Sequence, residues 1–516
     1  MQAACVCDGY SDNHGNFLHF VYTEAPGYAS DFNLELVCPG HKMLIHIAPD
    51  PVCTGWGIFT GTGWGSMNIY HNNIQTQCVG PTWASYGSGY FLRDLTRRNN
   101  HGGGIVPPEY IETTKQLYNC VDLDNSWIDP ATYGSAVNAH VFSGDIYDFM
   151  YFPDPSGTYW PIQRNSIDGN GQQGLHSNVE AEPIDIGSPP IRIIFDDTAD
   201  YIRDWHKLYI GPPVHITYSA ACYNDVIAHE WAHGITEFGS LLNTDSEPGA
   251  MNESFSDMFA GYYNRYKNGQ TTDWWIIGKD YFGTNCPVRN MAFPHAYYPG
   301  HTTPEAALYY ADYWSNTVGC TPTPANDKCY VHSNMGVPNL MFYLLAEGGQ
   351  NPYYPYSVSV NGIGVDTAFM IAYTANTYSD PYYRWNSNMR MEEARKKMVR
   401  VAFHRYHRSD WALEVSKAWE AVNVKCPYIP GDANNSGQLI GSDVVCMVNI
   451  YRGINVLLEQ CQECMRNNGD IFLPAFDSTG DCRFDGADIT RLVQYFTGFP
   501  VVVSYCDEFP PFTYPH

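Results

Sequence analysis

Two histidines four residues apart, with a glutamate directly after the first, stand in "IAHEWAHGI" at residues 227–235. On a helix this spacing puts His229 and His233 on one face, one turn apart. Two imidazole nitrogens so placed can reach one zinc ion at roughly 2.0–2.1 Å. Glu230 then lies beside the ion, where a carboxylate can take a proton from a bound water. The plain alternative is a polar helix face with satisfied histidines. The stretch "EPGAMNESFSDMFAG", 247–261, tells against it. It reads as a second helix carrying Glu253. A catalytic zinc takes three protein ligands and keeps one position open, and Glu253 is the natural third. Asp257, one turn beyond Glu253, is placed to accept the free N–H of a ligand histidine, and Asn252 is placed to serve the other.

The elements that carry these residues are legible. "CYNDVIAHEWAHGITEFGS" reads as a helix that Ser219 or Asn224 can cap and Gly239 can end. The chain around it has 516 residues, 44% of them hydrophobic, enough for a sizeable core. Its formal charge is −26 with only 28 basic residues, so clustered phosphate contacts to nucleic acid are excluded. Acidity favours solubility and calcium instead. The 16 cysteines run from Cys5 to Cys506 without a repeated CxxC zinc pattern; Cys461 and Cys464 form a single such pair. That usage predicts disulfides and an oxidising compartment, with Cys320–Cys329 the simplest short-loop bridge. No apolar run reaches the length of about 18 residues that a membrane span needs. "MQAACVCDGYSD" lacks the apolar segment of a signal peptide, so a secreted, extracellular protein would have its signal outside this chain.

From Cys426 the texture changes. "PGDANNSGQLIGSDVVCMVNIYRG" and "PAFDSTGDCRFDGADITRLVQYFTG" repeat one pattern, an Asp-rich loop before an amphipathic helix. Asp432, Asn434, Ser436 and Asp443 in one loop, and Asp477, Thr479, Asp481 and Asp488 in the other, fit positions 1, 3, 5 and 12 of an EF-hand-like calcium loop. Gly437 fills the turn position of the first loop and Cys482 that of the second. Two Ca²⁺ ions would let the stripes Val444, Val445, Val448 and Ile489, Leu492, Val493 pack together. The pair resembles a dockerin module over roughly 428–500, with "INVLLEQCQECMRNNGDIFL" inserted between the repeats. The resemblance implies docking on a cohesin-like domain or on a neighbouring domain.

The central region resembles the thermolysin-like metalloproteases. HExxH is followed, 20 positions after its second histidine, by a glutamate inside "GAMNESFSD". The segments "GYFLRDLTR", "SAVNAHVFSGDIYDF" and "RNSIDGNG" look like that family's β-rich N-terminal lobe. "VRNMAFP", "YVHSNMG" and "VSKAWEAVNV" look like its helical lobe, so the likeness covers roughly 60–425. The His₂Glu set of His229, His233 and Glu253 is thermolysin's own zinc set, so this assignment is what the resemblance implies and no independent derivation. It further implies that His332 stabilises the oxyanion with Asp327 orienting it, and that Arg289 holds a substrate carbonyl. Val226, Ile277 and Val288 would line the S1′ pocket, although plain core packing suits them equally. Three departures stand out. Thr244 is near the place of the family's loop tyrosine. The substrate-pairing edge segment is not clearly present, and Tyr201 and Trp205 lie in its region. The usual double calcium site keeps Asp225, with Asp280 a further candidate, but has Asn264, Ile276 and Lys279 in place of acidic ligands.

These readings predict an α+β protein with a two-lobed, thermolysin-like catalytic part. Residues 1–58 form a β-rich extension or propeptide-like remnant, 59–245 the N-terminal lobe with the HExxH helix, 246–425 the helical lobe, and 426–516 the dockerin-like module. The expected activity is zinc-dependent hydrolysis of protein or peptide substrates before large apolar P1′ residues. Zn²⁺ and Ca²⁺ are the expected cofactors. The rivals are a catalytically silent adhesion or structural protein, and a zymogen-like form whose N-terminal segment fills the cleft.

Overall fold

A computed structural model describes the helices and strands along the chain. It describes side chains at 138–151, 161–170, 175 and 223–506, apart from 268–272, 280–287, 297–303, 312, 426–427, 435 and 455–471. The chain divides into two compact units. One holds Met1–Gly239, Phe255–Asn290 and Tyr297–Thr302; the other holds Ser240–Ser254, Met291–Ala296 and Thr303–His516.

The first unit opens with three antiparallel hairpins. These are β1 (Val6–Tyr10) with β2 (Phe17–Val21), β3 (Asn33–Cys38) with β4 (His41–His46), and β5 (Cys53–Phe59) with β6 (Gly63–Ile69). In the second, Cys38 faces His41 at the end of the ladder. Next come β7 (Tyr90–Phe91), β8 (Arg93–Asp94), β9 (Ile111–Lys115), β10 (Tyr118–Asn119) and β11 (Val121–Asp122). The long helix α1 (Pro130–Tyr151) starts on proline, whose fixed φ suits a first helical turn. After it follow β12 (His176–Val179), β13 (Ala199–Ile202) and β14 (Lys207–Ile210). A mixed sheet runs β10-β9-β12-β14-β13, with β8 also paired to β9. Strands β9 and β12 are parallel, so the chain must cross over between them, and α1 makes the crossing while packing on both.

Two helices carry the candidate ligands. Helix α2 (Asn224–Phe238) packs on α1 and β13, burying Ile227, Ala228, Trp231, Ala232 and Ile235. Its Trp231 indole donates to Ser143 on α1 at 3.0 Å. No side chain caps its start: Tyr223 holds the cap position, and Asn224 is already helical. Helix α3 (Ser246–Asn268) runs about two turns further at its C-terminal end than the sequence pattern suggests. Its far half is anchored by Phe149 of α1, which meets the rings of Phe259, Tyr262, Tyr263 and Tyr266 at 4.8–5.8 Å. A short hairpin, β15 (Ile276–Ile277) with β16 (Arg289–Asn290), follows.

In the second unit, α4 (Asp327–Asn334) leads into α5 (Gly336–Glu347), which is apolar almost all round and buried. That is the pattern of a helix enclosed by others. Helix α5 packs on α6 (Val365–Thr377) and α8 (Ser409–Ala421), and α7 (Met391–Arg400) packs on α8. A Cβ on Gly336 would lie 2.5 Å from the Ala306 carbonyl oxygen, so this start of α5 requires glycine. Asn351 ties two segments by donating to the carbonyls of Ala307 and Ala421. The Tyr309 hydroxyl sits between Glu247 Oε2 at 2.8 Å and Glu392 Oε2 at 3.0 Å. A phenol has one hydrogen to give, so the second contact is a hydrogen bond only when one carboxyl supplies the proton. Burial and the nearby Glu247 push Glu392 up to about 7.

The tail pairs α9 (Gly441–Tyr451) with α10 (Gly486–Phe496). Between them lies the small hairpin β17 (Cys464–Met465) with β18 (Ile471–Phe472). The expected stripes need correction. The core is Tyr428, Ala433, Cys446, Met447, Ala475, Phe476 and Leu492, with Val444, Ile450 and Ile489 against it. Val445 and Val493 point outward, because the buried face of each helix is rotated by about one residue. The buried Cys446 thiol faces the Ala433 carbonyl at 3.5 Å.

Candidate metal centre

His229 Nε2 and His233 Nε2 lie 3.2 Å apart, and one oxygen of Glu253 joins them in a group whose ligand atoms are all within 4.8 Å. Two nitrogens each roughly 2.05 Å from a tetrahedral ion would be about 3.3 Å apart, so the donor set fits zinc in both type and spacing. The other face of each imidazole is held. His229 Nδ1 meets Asp257 Oδ1 at 2.8 Å, and His233 Nδ1 meets the Ser256 hydroxyl at 3.2 Å. Asp257 is fully buried, and the same oxygen accepts from Arg289 Nη1 at 3.3 Å. Arg289 therefore stands behind the ligand shell through Asp257, brought there by the pairing of β16 with β15. Asn252 is buried one turn from Ser256 on α3. Ser256 was not singled out in the sequence, because a serine inside a helix carries no distinctive signal. Glu230 follows His229 on α2 and is also buried.

Beside Glu253 stands His332. Its Nε2 is 3.2 Å from Glu253 Oε2, and its Nδ1 is 2.6 Å from Asp327 Oδ1. Asp327 Oδ2 also accepts the backbone N–H of His332 at 2.8 Å. Desolvation lowers the imidazole's pKa, but the Glu253 and Asp327 carboxylates outweigh it and raise the group to about 10. A divalent cation bound by Glu253 would oppose that rise. The backbone here is unusual. Asp327, Lys328, Cys329 and Tyr330 all have φ between 48° and 67°, and none is glycine. Such a conformation costs an L-residue about 1–2 kcal/mol. The Cys320–Cys329 disulfide, expected from the sequence, ends inside this turn.

Of the expected pocket residues, Val226 and Val288 converge on Gly278, where a Cβ would lie 3.3 and 2.5 Å from their methyl carbons. Ile277 is buried beside them. Thr244 packs its backbone on Gly249, where a Cβ would come within 2.8 Å of it. Tyr201 belongs to β13, the end strand of the sheet, while Trp205 and Asp280 lie outside the described residues. The Asp225 carboxylate accepts from Val226 N, Gly278 N and the Asn264 amide at 2.8–2.9 Å. Lys279 turns to Asp273 at 3.2 Å.

The tail loops mirror one another. Asp432 accepts from Ser436 N and Gly437 N, as Asp477 does from Gly480 N, Asp481 N and Cys482 N. Asp443 accepts from Asn434 N and Ile440 N, as Asp488 does from Thr479 N and Asp485 N. Asp432, Asp443, Asp477 and Asp488 are buried. Burial first, then the neighbouring Asp432 and Asp477 carboxylates, raise Asp443 and Asp488 against those N–H bonds. Cys482 takes the left-handed turn position with φ 62° and is bridged to Cys506. Those sulfurs lie near Asp477 but are consumed in the disulfide, so they are not metal ligands.

The comparisons with known proteins bear on this site. Residues 240–424 match the family model described as thermolysin metallopeptidase, alpha-helical domain. The chain is 29% identical over 352 residues to bacillolysin of Brevibacillus brevis, covering 66% of this chain and 54% of that protein. It is 28% identical over 353 residues to thermolysin of Bacillus sp. (strain EA1), covering 67% and 55%. Neutral protease NprE of Bacillus pumilus is 26% identical over 347 residues, covering 67% of this chain and 95% of that protein. The chain spans about half the length of the first two. Among solved structures, the precursor of protealysin, a metalloproteinase from Serratia proteamaculans, superposes with a TM-score of 0.46 at 22% identity, covering 63% of this chain and 91% of that one. The matched stretch, residues 240–424, begins directly after the helix that carries the HExxH pair.

Proposed function

We propose that this protein is a zinc-dependent endopeptidase of the thermolysin kind. The observation that carries the reading is the convergence of His229, His233 and Glu253, with His332 at Glu253 and Asp257 at His229. The relatives named neutral protease and thermolysin support it. Bound zinc supplies Lewis acidity toward the scissile carbonyl and lowers the pKa of water held beside it. Glu230 takes the proton from the attacking water and hands it to the leaving nitrogen. His332 donates from Nε2 to the carbonyl oxygen as negative charge grows there, and Asp327 keeps the proton on Nδ1. Arg289 and Asp257 hold the His229 ring in place. The backbone of end strand β13 is the natural partner for an extended substrate. The Val226, Ile277 and Val288 side chains favour Leu, Phe, Ile or Val at P1′.

The tail is read as a dockerin-like module with one Ca²⁺ in each loop. The buried carboxylate pairs, in which Asp443 and Asp488 are raised, support this, because a cation offsets the charge that burial penalises. Its partner would be a cohesin-like domain. The domain bounds 59–245, 246–425 and 426–516 and export from the cell belong to the same reading; the relatives and the disulfides support the latter. Among the described residues, no helix is long and apolar enough to cross a membrane.

The test is cleavage of a peptide library with and without a zinc chelator. Cleavage before large apolar residues, lost with chelator and restored by zinc, is expected. Chelator-resistant cleavage, or none with one zinc bound per chain, would refute the proposal.

A further inference from the structure

We propose that the Cys320–Cys329 disulfide is a positioning element for catalysis: it clamps a left-handed turn of non-glycine residues and so holds the Asp327 carboxylate on His332. The proposal rests on the peptidase reading above.

Four successive residues, Asp327, Lys328, Cys329 and Tyr330, have φ of 52°, 48°, 66° and 67° with ψ of 48°, 43°, 49° and 37°. L-residues enter this region singly, not in runs, so something outside the turn must hold it. Two devices are present. Cys329 is fully buried and bridged to Cys320, nine residues earlier, with Cα atoms 6.0 Å apart. Inside the loop so closed, the Asn326 side chain accepts from Thr323 N at 2.9 Å and Cys329 N at 3.1 Å and donates to Thr321 O at 2.9 Å.

The left-handed path is what joins Asp327 to His332. In a right-handed helix, residues five apart point about 140° away from each other around the axis. Here the carboxylate of Asp327 grips both the backbone N–H and Nδ1 of the residue five positions later. If the turn relaxed to the right-handed form, that grip would open and the His332 ring would lose its orienting partner. No sulfur touches the site, so the bridge acts only through the backbone between it and His332.

The experiment uses the full chain in zinc. Cys320→Ser should lower kcat about 10- to 100-fold while KM moves less than about threefold and zinc stays at one per chain. Variants are preferable to thiol reductants, which bind zinc themselves. Adding Lys328→Gly and Tyr330→Gly to Cys320→Ser should restore most of kcat, since glycine takes the left-handed turn unclamped. An independent readout is the hydrogen-bonded Nδ1 proton of His332, seen by NMR with selectively labelled histidine: present in the wild type, lost in Cys320→Ser, and regained in the glycine variant. Wild-type kcat in Cys320→Ser, or a persistent Nδ1 proton there, overturns the proposal. If Cys320→Ser does not fold, the triple variant decides: recovered folding and activity support the clamp, and a folded, zinc-loaded but inactive triple variant refutes it. A wild type with the proton signal but no zinc-dependent cleavage would refute the peptidase reading and with it the catalytic role of the clamp, whereas cleavage that survives Cys320→Ser unchanged refutes the clamp alone.

Discussion

The zinc-ligand group and the tail loops both gather buried acids and neutral donors, but they hold them differently. In the zinc group each histidine is fixed from behind by another side chain, Asp257 or Ser256, and Asp257 is itself held by Arg289. The ligands sit on two long helices whose packing does not depend on them. In the tail, the carboxylates of Asp432, Asp443, Asp477 and Asp488 are held by N–H groups of their own loops. In the first arrangement the histidine rings are held from behind by other side chains. The second is built from loop backbone, and its order is tied to the charge it encloses. Removing a ligand should therefore destroy function without unfolding in one region, and loosen the structure in the other.

The largest effect tests the first half of that contrast. His233→Ala or Glu253→Ala should abolish measurable zinc binding and peptide cleavage, while circular dichroism stays close to wild type. Glu230→Gln should keep one zinc per chain yet lower kcat about 10²–10⁴-fold. Turnover within about tenfold of wild type would remove Glu230 from its assigned role.

Asp257→Asn sharpens the contrast, because it weakens the support and leaves every ligand in place. Zinc affinity should drop about 10- to 100-fold in a competition titration. An unchanged affinity would mean that the helices alone fix His229.

Calcium addresses the tail. Calorimetry on the full chain should show two ions bound, and calcium at about 100 times its Kd should stabilise the tail by about 2.7 kcal/mol. Asp432→Ala should remove one ion and leave cleavage of a short peptide unchanged. Absence of any calcium heat would mean that the loops are complete as hydrogen-bonded turns.

The smallest effect concerns a third solution to buried acid, the proton shared around Tyr309. Glu392 is raised from 4.5 to about 7, so the folded state holds its proton more tightly than the unfolded state does. This contribution is present in full below the unfolded value and is lost as pH rises toward 7, a slope of about 1 kcal/mol per pH unit after solvent screening. Its cluster also contains Glu247, Tyr310 and Arg390. Thermal melts from pH 4.5 to 7.5 should show a shallower decline in Glu392→Gln. A decline equal to wild type would move the proton elsewhere.

The candidate ligands were more legible in the sequence than their surroundings. HExxH and Glu253 are spacing signals, and the helices that realise them obey the same period. The Asp327–His332 pair was reachable only through resemblance. The turn that forms it uses a left-handed backbone, for which glycine is the usual signal, and Lys328, Cys329 and Tyr330 occupy it instead. Ser256 gave no sign, and the tail stripes were misjudged at Val445 and Val493, since short helices with apolar residues on several sides do not declare one face. Asp225 is a different case: the Asn264 amide, which the sequence offers in place of an acidic ligand, donates to its carboxylate.

The Cys482–Cys506 bridge has a consequence for covalent connectivity. The segment it encloses exposes Val493, Phe496, Phe499 and Val502, residues of the type the proposed pocket prefers at P1′. The proposed peptidase, working among its own copies, would meet those bonds constantly. A single cut between Arg483 and Tyr505 leaves both pieces attached through sulfur, so a nicked molecule keeps its end in place and gains only the mass of one water until the bridge is reduced.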